Sequence, residues 1–257
     1  MPPGPAHDAL LSELLERLGG LTEWLQRTRA FADLATSIAP EDASSLYALL
    51  LGRAFAFRSR RERVASSAAR FAVARGEWPP EHLAHTREAA VAQGDRLTEA
   101  FLVFEPAPEA DDSEAAVPDY GGGRPLALGE RRALALRPSR RTIELAMRDP
   151  HPLVATRLLA NPKLTEADAL RISARRPAPP SVLREVGLHP KWRVRQKIAI
   201  ALVQNPHAPA AIALSLLPDL EAHLVEAVAA DGQLDGRIRD AARALLDERA
   251  KIRQPLA

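Results

Sequence analysis

Leu11, Leu14, Leu15 and Leu18 recur at helical spacing, and Gly19-Gly20 breaks the run. Leu21, Trp24 and Leu25 open a second helix, which Phe31 extends. Pro40 precedes a third, with Leu46, Leu49, Leu50 and Ala54 on one side. Val64, Ala68, Phe71 and Ala72 stripe a fourth. Pro79-Pro80 opens a fifth that runs to about Gln93. Short connections between such helices predict an antiparallel bundle, assigned to a helical domain 1–104.

The pattern then stops. Residues 105–123 are acidic, rich in Pro and Gly, and nearly without large apolar side chains. Such a stretch buries too little surface to offset the entropy of ordering it. It is expected to be an acidic flexible linker, with a second domain at 124–257.

Beyond the linker, proline sets a beat at Pro138, Pro150, Pro162, Pro177, Pro190, Pro206 and Pro218, roughly every 12–16 residues. Proline at a helix start is cheap, because the first helical N–H groups have no partner there. Each interval fits one short helix and a turn. The stripes are Ile143 and Met147; Val154 and Leu158; Ala167, Leu170 and Ala174; Val182 and Val186; Val194, Ile198 and Leu202; Ile212 and Leu216. Leu220, Leu224 and Val228 follow, then Ile238, Ala241, Ala242 and Leu245.

The segments also recur as units. Arg137-Pro138 returns as Arg176-Pro177, Asp149-Pro150 as His189-Pro190, and Asn161-Pro162 as Asn205-Pro206, at offsets of 39, 40 and 44. A period near 40 predicts helical hairpins, two helices per unit, stacked so that neighbours cover each other's apolar faces. The Asn-Pro steps read as turns: Asn tolerates the left-handed backbone that ends a helix, and the proline prevents its continuation. Thr165 with Asp168 reads as a helix N-cap.

Residues 149–165 (Asp-Pro-His-Pro-Leu-Val-Ala-Thr-Arg-Leu-Leu-Ala-Asn-Pro-Lys-Leu-Thr) and 194–209 (Val-Arg-Gln-Lys-Ile-Ala-Ile-Ala-Leu-Val-Gln-Asn-Pro-His-Ala-Pro) resemble HEAT-like repeats, and especially the leucine-rich repeat variant of bacteria. The resemblance covers about a third of the chain well. It implies a short C-terminal HEAT-like α-solenoid and says nothing about function. Some proteins with the variant repeat carry an N-terminal cysteine cluster for an iron–sulfur centre. This chain has no cysteine, so that cofactor does not carry over. The whole reads as all-α, an N-terminal helical bundle followed by the solenoid.

Composition agrees. The apolar share leans on Ala and Leu, strong helix formers, and only 4% of residues are aromatic. The absence of cysteine removes disulfides, thiolate metal sites and a Cys nucleophile. The first residues lack a basic stretch followed by an apolar one, and no apolar run has bilayer length, so a cytoplasmic protein without membrane insertion is expected. Arg far outnumbers the four Lys; with abundant Ala, Pro and Gly, this suggests a GC-rich bacterial genome.

Candidate chemistry is sparse. His82 and His85 lie three apart on one helix, but only Glu81 and Glu88 are near, and two solvated histidines explain them better than a metal site. His151, His189 and His207 adjoin repeat prolines and read as turn residues. Gly121-Gly122-Gly123 lacks the Lys-Ser/Thr of a phosphate loop. The paired carboxylates are chain neighbours and do not face each other on a helix. No catalytic residue, metal or cofactor is expected. A HEAT-like DNA glycosylase, needing an aromatic and a carboxylate beside a basic concave face, is a minor alternative; Trp192 is a candidate aromatic, but no convincing carboxylate partner accompanies it, and core packing explains that residue better.

Charge carries the one positive signal. Residues 1–123 are net −7 and residues 198–257 net −2, whereas residues 124–197 hold 17 basic and 6 acidic side chains, net +11. A block this basic attracts anions. Arg157, Arg171, Arg175, Arg176, Arg193, Arg195 and Lys197 are the candidate partner-binding residues. Arg157 and Arg195 are read as lining one face from the second helix of each repeat. Arg53, Arg58, Arg60, Arg61 and Arg63 form a second basic cluster. The expected function is a non-catalytic protein–protein interaction module docking an acidic protein partner. Nucleic-acid binding through the same arginines is the alternative, weakened by scarce aromatics and lysines. The acidic linker lying on the basic solenoid is a third possibility.

Overall fold

Every regular element among the described residues of the computed structural model is helical, and the fold is all-α. The structure describes residues 5–56, 59–109, 117–121 and 123–253. Residues 1–106 together with 213–257 form one compact unit, and residues 107–212 form the other. The expected boundary ran differently, with 124–257 in one domain.

In the first unit, α1 (Pro5–Gly19), α2 (Trp24–Ser37), α3 (Pro40–Ala56), α4 (Arg60–Arg75) and α5 (Pro80–Ala92) follow the predicted stripes, and α6 (Arg96–Phe101) is a sixth helix beyond the five read from them. Leu11, Leu14, Leu18, Leu46, Leu50 and Phe71 are buried as the 3.6-residue period requires. Trp78 closes this core: Phe31 meets it edge-on at 5.6 Å and Tyr47 lies 6.0 Å away. Local chemistry sets the ends of α4. The Ser59 hydroxyl accepts from the Glu62 N–H at its start, and Gly76 takes the left-handed conformation (φ 72°) that stops it.

The segment from residue 213 joins this unit for an identifiable reason. Arg70 of α4 is only 3% exposed. Its guanidinium donates to the Ser215 carbonyl at 2.6 Å, to Asp219 Oδ1 at 2.9 Å and to the Ser66 carbonyl at 3.3 Å. Arg249 donates to the Pro218 and Leu220 carbonyls, both at 3.0 Å. Thus two arginines from opposite ends of the chain hold the turn after α13 (Ala210–Leu216). Helices α14 (Ala222–Ala230) and α15 (Gly236–Arg253) pack on each other, and α15 packs on α6. Ile238, Ala241, Ala242 and Leu245 form the buried stripe of α15, as predicted.

The second unit contains α7 (Leu128–Ala135), α8 (Arg140–Ala146), α9 (Pro152–Leu159), α10 (Glu166–Ala174), α11 (Pro180–Leu188) and α12 (Gln196–Val203). The period near 40 therefore holds three helices, not the expected two. Prolines every 12–16 residues cut the chain too often for long hairpin helices. Pairs α7–α9 and α10–α12 pack equivalently, and α9 also packs on α11. Within this unit the prolines of the beat stand in the turns; Pro152 and Pro180, outside it, take the first helical turn.

Two predicted stripes are shifted. Val194 precedes α12 and is 68% exposed, whereas Ile198 and Leu202 are buried. Helix α10 buries Ala169, Ile172 and Ser173 while Ala167 and Ala174 face solvent. Arg70 makes a testable stability claim. Arg70→Met keeps the stem but removes the guanidinium's bonds to the Ser215 carbonyl and Asp219, and is expected to cost about 1–3 kcal/mol. Urea denaturation of the full chain measures it; an unchanged midpoint refutes the anchoring role.

Candidate interaction surface

Helices of seven to nine residues leave most of their terminal carbonyls without intrahelical partners. Unit two meets this need with side chains from distant residues. Asn161 is fully buried; its amide donates to the Ala135 and Arg137 carbonyls at 2.8 and 3.0 Å, closing the end of α7. Its Oδ1 accepts from the Lys163 N–H at 2.9 Å. Asn205 repeats the arrangement on α10, donating to Ser173 and Arg175 carbonyls at 2.8 and 3.0 Å and accepting from His207 N–H at 3.0 Å. The Asn-Pro steps are therefore tertiary clamps as well as turns.

The same logic explains several residues chosen as partner-binding. Trp192 is buried and donates its indole N–H to the Leu159 carbonyl at 2.9 Å, closing α9. Arg175 donates to the Arg148 carbonyl at 3.3 Å, beyond the end of α8. Arg176 donates to the Gln204 carbonyl at the end of α12. Both arginines thus bind the chain's own backbone.

Carboxylates engage further arginines. Glu130 pairs with Arg124 at 2.6 Å, Asp149 with Arg131 at 2.8 Å and Asp168 with Arg140 at 2.6 Å. Glu144 pairs with Arg171 at 3.1 Å and also with Arg140. Glu166 lies 3.9 Å from Arg195, and Glu185 3.6 Å from Arg184. These six are all the acidic residues between 124 and 212. The Arg124 guanidinium, helped by the Ala127 N–H, holds Glu130 down at about 2. Arg140, with the Thr165 cap, holds Asp168 well below the usual carboxylate range. Glu144 is lowered by Arg171 and then Arg140.

Asp149 is the most enclosed of the six. Besides Arg131 it accepts the Tyr120 hydroxyl at 2.9 Å and the His151 N–H at 3.1 Å, so its buried charge is fully paired. Tyr120 belongs to the stretch read as a linker, so at least that end of it is fastened within the second unit. Burial and then the Asp149 charge push its phenol above its ordinary value.

With its carboxylates engaged, this stretch retains a cation surplus equal to its net +11. Among the sequence candidates, Arg157 and Lys197 are exposed and have no ion-pair partner among the described residues. Arg193 is half-buried. Arg157 and Arg195 do not occupy equivalent positions, contrary to expectation: Arg195 is the N-cap of α12, whose counterpart in α9 is His151, while Arg157 is in the last turn of α9. Sequence reasoning missed the exposed Arg137, Arg141, Arg148 and Lys163. Counting cations against the six carboxylates would have found them. It also missed two aliphatic side chains near cations, Val194 between Arg193 and Arg195, and Leu153 at 45% exposure in the helix carrying Arg157.

The second cluster divides. Arg60, Arg61 and Arg63 are exposed in the first turn of α4, where a helix dipole disfavours cations. Arg58 lies outside the described residues, and Arg53 is in α3 with its side chain outside them. His82 Nδ1 accepts from the Trp78 indole at 3.4 Å. No helix among the described residues is long and apolar enough to cross a membrane.

His189 ties the surface to pH. Its Nδ1 accepts from the Lys191 N–H at 3.3 Å. Burial, then Lys191 and Arg193, hold the imidazole below its ordinary value. The unfolded chain therefore binds this proton more readily. The contribution is present above the unfolded value near 6.5 and is lost as pH falls through the folded one. Melting temperature is expected to drop between about pH 7.5 and about pH 5. His189→Asn keeps an acceptor and a following proline, as at Asn161 and Asn205, and should shrink the drop; an equal drop in both proteins refutes the assignment. No known protein family, curated protein or solved structure matches the chain.

Proposed function

We propose that this chain is a non-catalytic protein–protein interaction module whose HEAT-like, leucine-rich-repeat-variant stretch docks an acidic segment of a protein partner. One observation carries the reading: all six carboxylates of residues 124–212 already engage arginines, while Arg157 and Lys197 stand exposed with no ion-pair partner among the described residues. Arginine and lysine left so bind carboxylates or phosphates. Two features favour a protein. The unit's two aromatics are otherwise engaged, Trp192 in the core and Tyr120 on Asp149, which leaves no platform for stacking bases. Val194 and Leu153 add exposed apolar area among the cations, which a peptide side chain can cover and a phosphate cannot. The glycosylase alternative lacks support for the same reasons: Trp192 is enclosed and each carboxylate is already paired.

The test is capture from nuclease-treated extract by the full chain, beside a variant combining Val194→Ser, Arg157→Glu and Lys197→Glu. Proteins retained by the first and lost by the variant are expected. Their affinity should fall with salt, because exposed ion pairs are screened, yet persist at physiological salt through the apolar contacts. Recovery of nucleic acid alone, with a steep salt dependence, overturns the reading in favour of phosphate contacts.

A further inference from the structure

Within the first unit, α5, α6 and α15 form a trough of about 840 Å³. Helix α6 packs against both α5 and α15 and makes the floor, and the other two are its walls. Apolar side chains reach the trough from α5 and from the segment after α6, beside Arg96 and Glu99 of α6: Leu83 and Leu102 are buried there, and the Phe104 ring at its edge is 48% exposed. A phenyl ring half in water beside an apolar trough is a surface that association covers.

The wall formed by α15 carries the informative pattern. Arg237, Asp240, Arg243 and Asp247 all line the trough, roughly one charge per turn, alternating in sign. Turn a second α15 end for end and the row becomes its own complement. Arg237 then meets Asp247, and Asp240 meets Arg243, about a centre near residue 242. A parallel copy in register would set like charge against like. Only an antiparallel arrangement satisfies all four at once, and it opposes the two helix dipoles as well. Ala244, close to that centre, also lines the trough and lets two backbones approach.

We propose that this trough is the interface of a two-fold symmetric homodimer, in which α15 packs antiparallel against α15 of a second copy and each Phe104 is covered by the other protomer. Such an interface is isologous: one patch meets its own rotated image, so every contact occurs twice. Arg237 already holds Asp235 at 2.7 Å and lies 3.6 Å from Glu105, and Arg243 holds Asp240 at 2.7 Å; both guanidinium groups nevertheless stay about half exposed, and Asp247 has no ion-pair partner among the described residues.

Sedimentation equilibrium on the full chain decides the matter, because the symmetry makes an unusual demand. Arg237→Asp and Asp247→Arg each create two like-charge contacts per dimer, and each alone is expected to weaken dimerisation at least about tenfold. Mixed in equal amounts, the two variants are complementary at both contacts and should recover a heterodimer. Circular dichroism confirms that each folds. Phe104→Ser should weaken the dimer without altering its salt dependence. A chain that stays monomeric at all concentrations overturns the proposal. A dimer indifferent to both charge reversals, or a mixture that fails to recover, also overturns it.

Discussion

A helix of eight residues has few internal backbone bonds and several terminal carbonyls that must find partners elsewhere. In the second unit this constraint shapes nearly everything else. The chain cannot leave these carbonyls to water where helices pack, because a buried unpaired carbonyl costs about 1–3 kcal/mol. Asn161 and Asn205 answer it with an amide that donates twice and accepts once. No other side chain of that length can do all three. Asp231, at the matching point after α14, keeps only the accepting half, to the Gln233 N–H at 2.9 Å. A carboxylate has no proton to donate, so the clamp ends there.

Long side chains extend the same solution. Trp192, Arg175 and Arg176 close helices of the second unit, and Arg70 and Arg249 hold the turn after α13 in the other unit. An arginine used in this way spends its donors on backbone and has fewer for a partner. Its abundance therefore overstates how much of the basic block is available for binding. What remains for binding is fixed by stoichiometry: six carboxylates cannot neutralise seventeen cations. The proposed docking function rests on that excess, and the proposed dimer rests on a separate row of charges in the other unit.

Much of the fold could be read from the chain. Class, the first five helices and the α15 stripe follow from the 3.6-residue period of apolar residues, which local geometry imposes wherever a helix has one buried face. The beat of prolines located the short helices, and the recurrence near 40 matches the like packing of α7 with α9 and of α10 with α12. Trp192 was rightly placed in the core. The charge excess was visible by counting, since net charge does not depend on folding.

Position in space was not legible. Sequence could not say that Asn161 reaches Ala135, that Arg175 and Arg176 serve backbone carbonyls, or that Arg195 and Arg157 sit at opposite ends of matching helices. Nor could it place residues 213–257 with 1–106, because that grouping depends on Arg70 meeting Ser215 and Asp219 across the chain. By itself the sequence determined the helical class, a recurrence near 40 residues and the sign of the charge, all of which can be read along the chain without knowing what meets in space. The tertiary structure alone decided which arginines are occupied and which walls share a trough. Those outcomes depend on pairings between residues tens of positions apart, whose geometry no local pattern encodes.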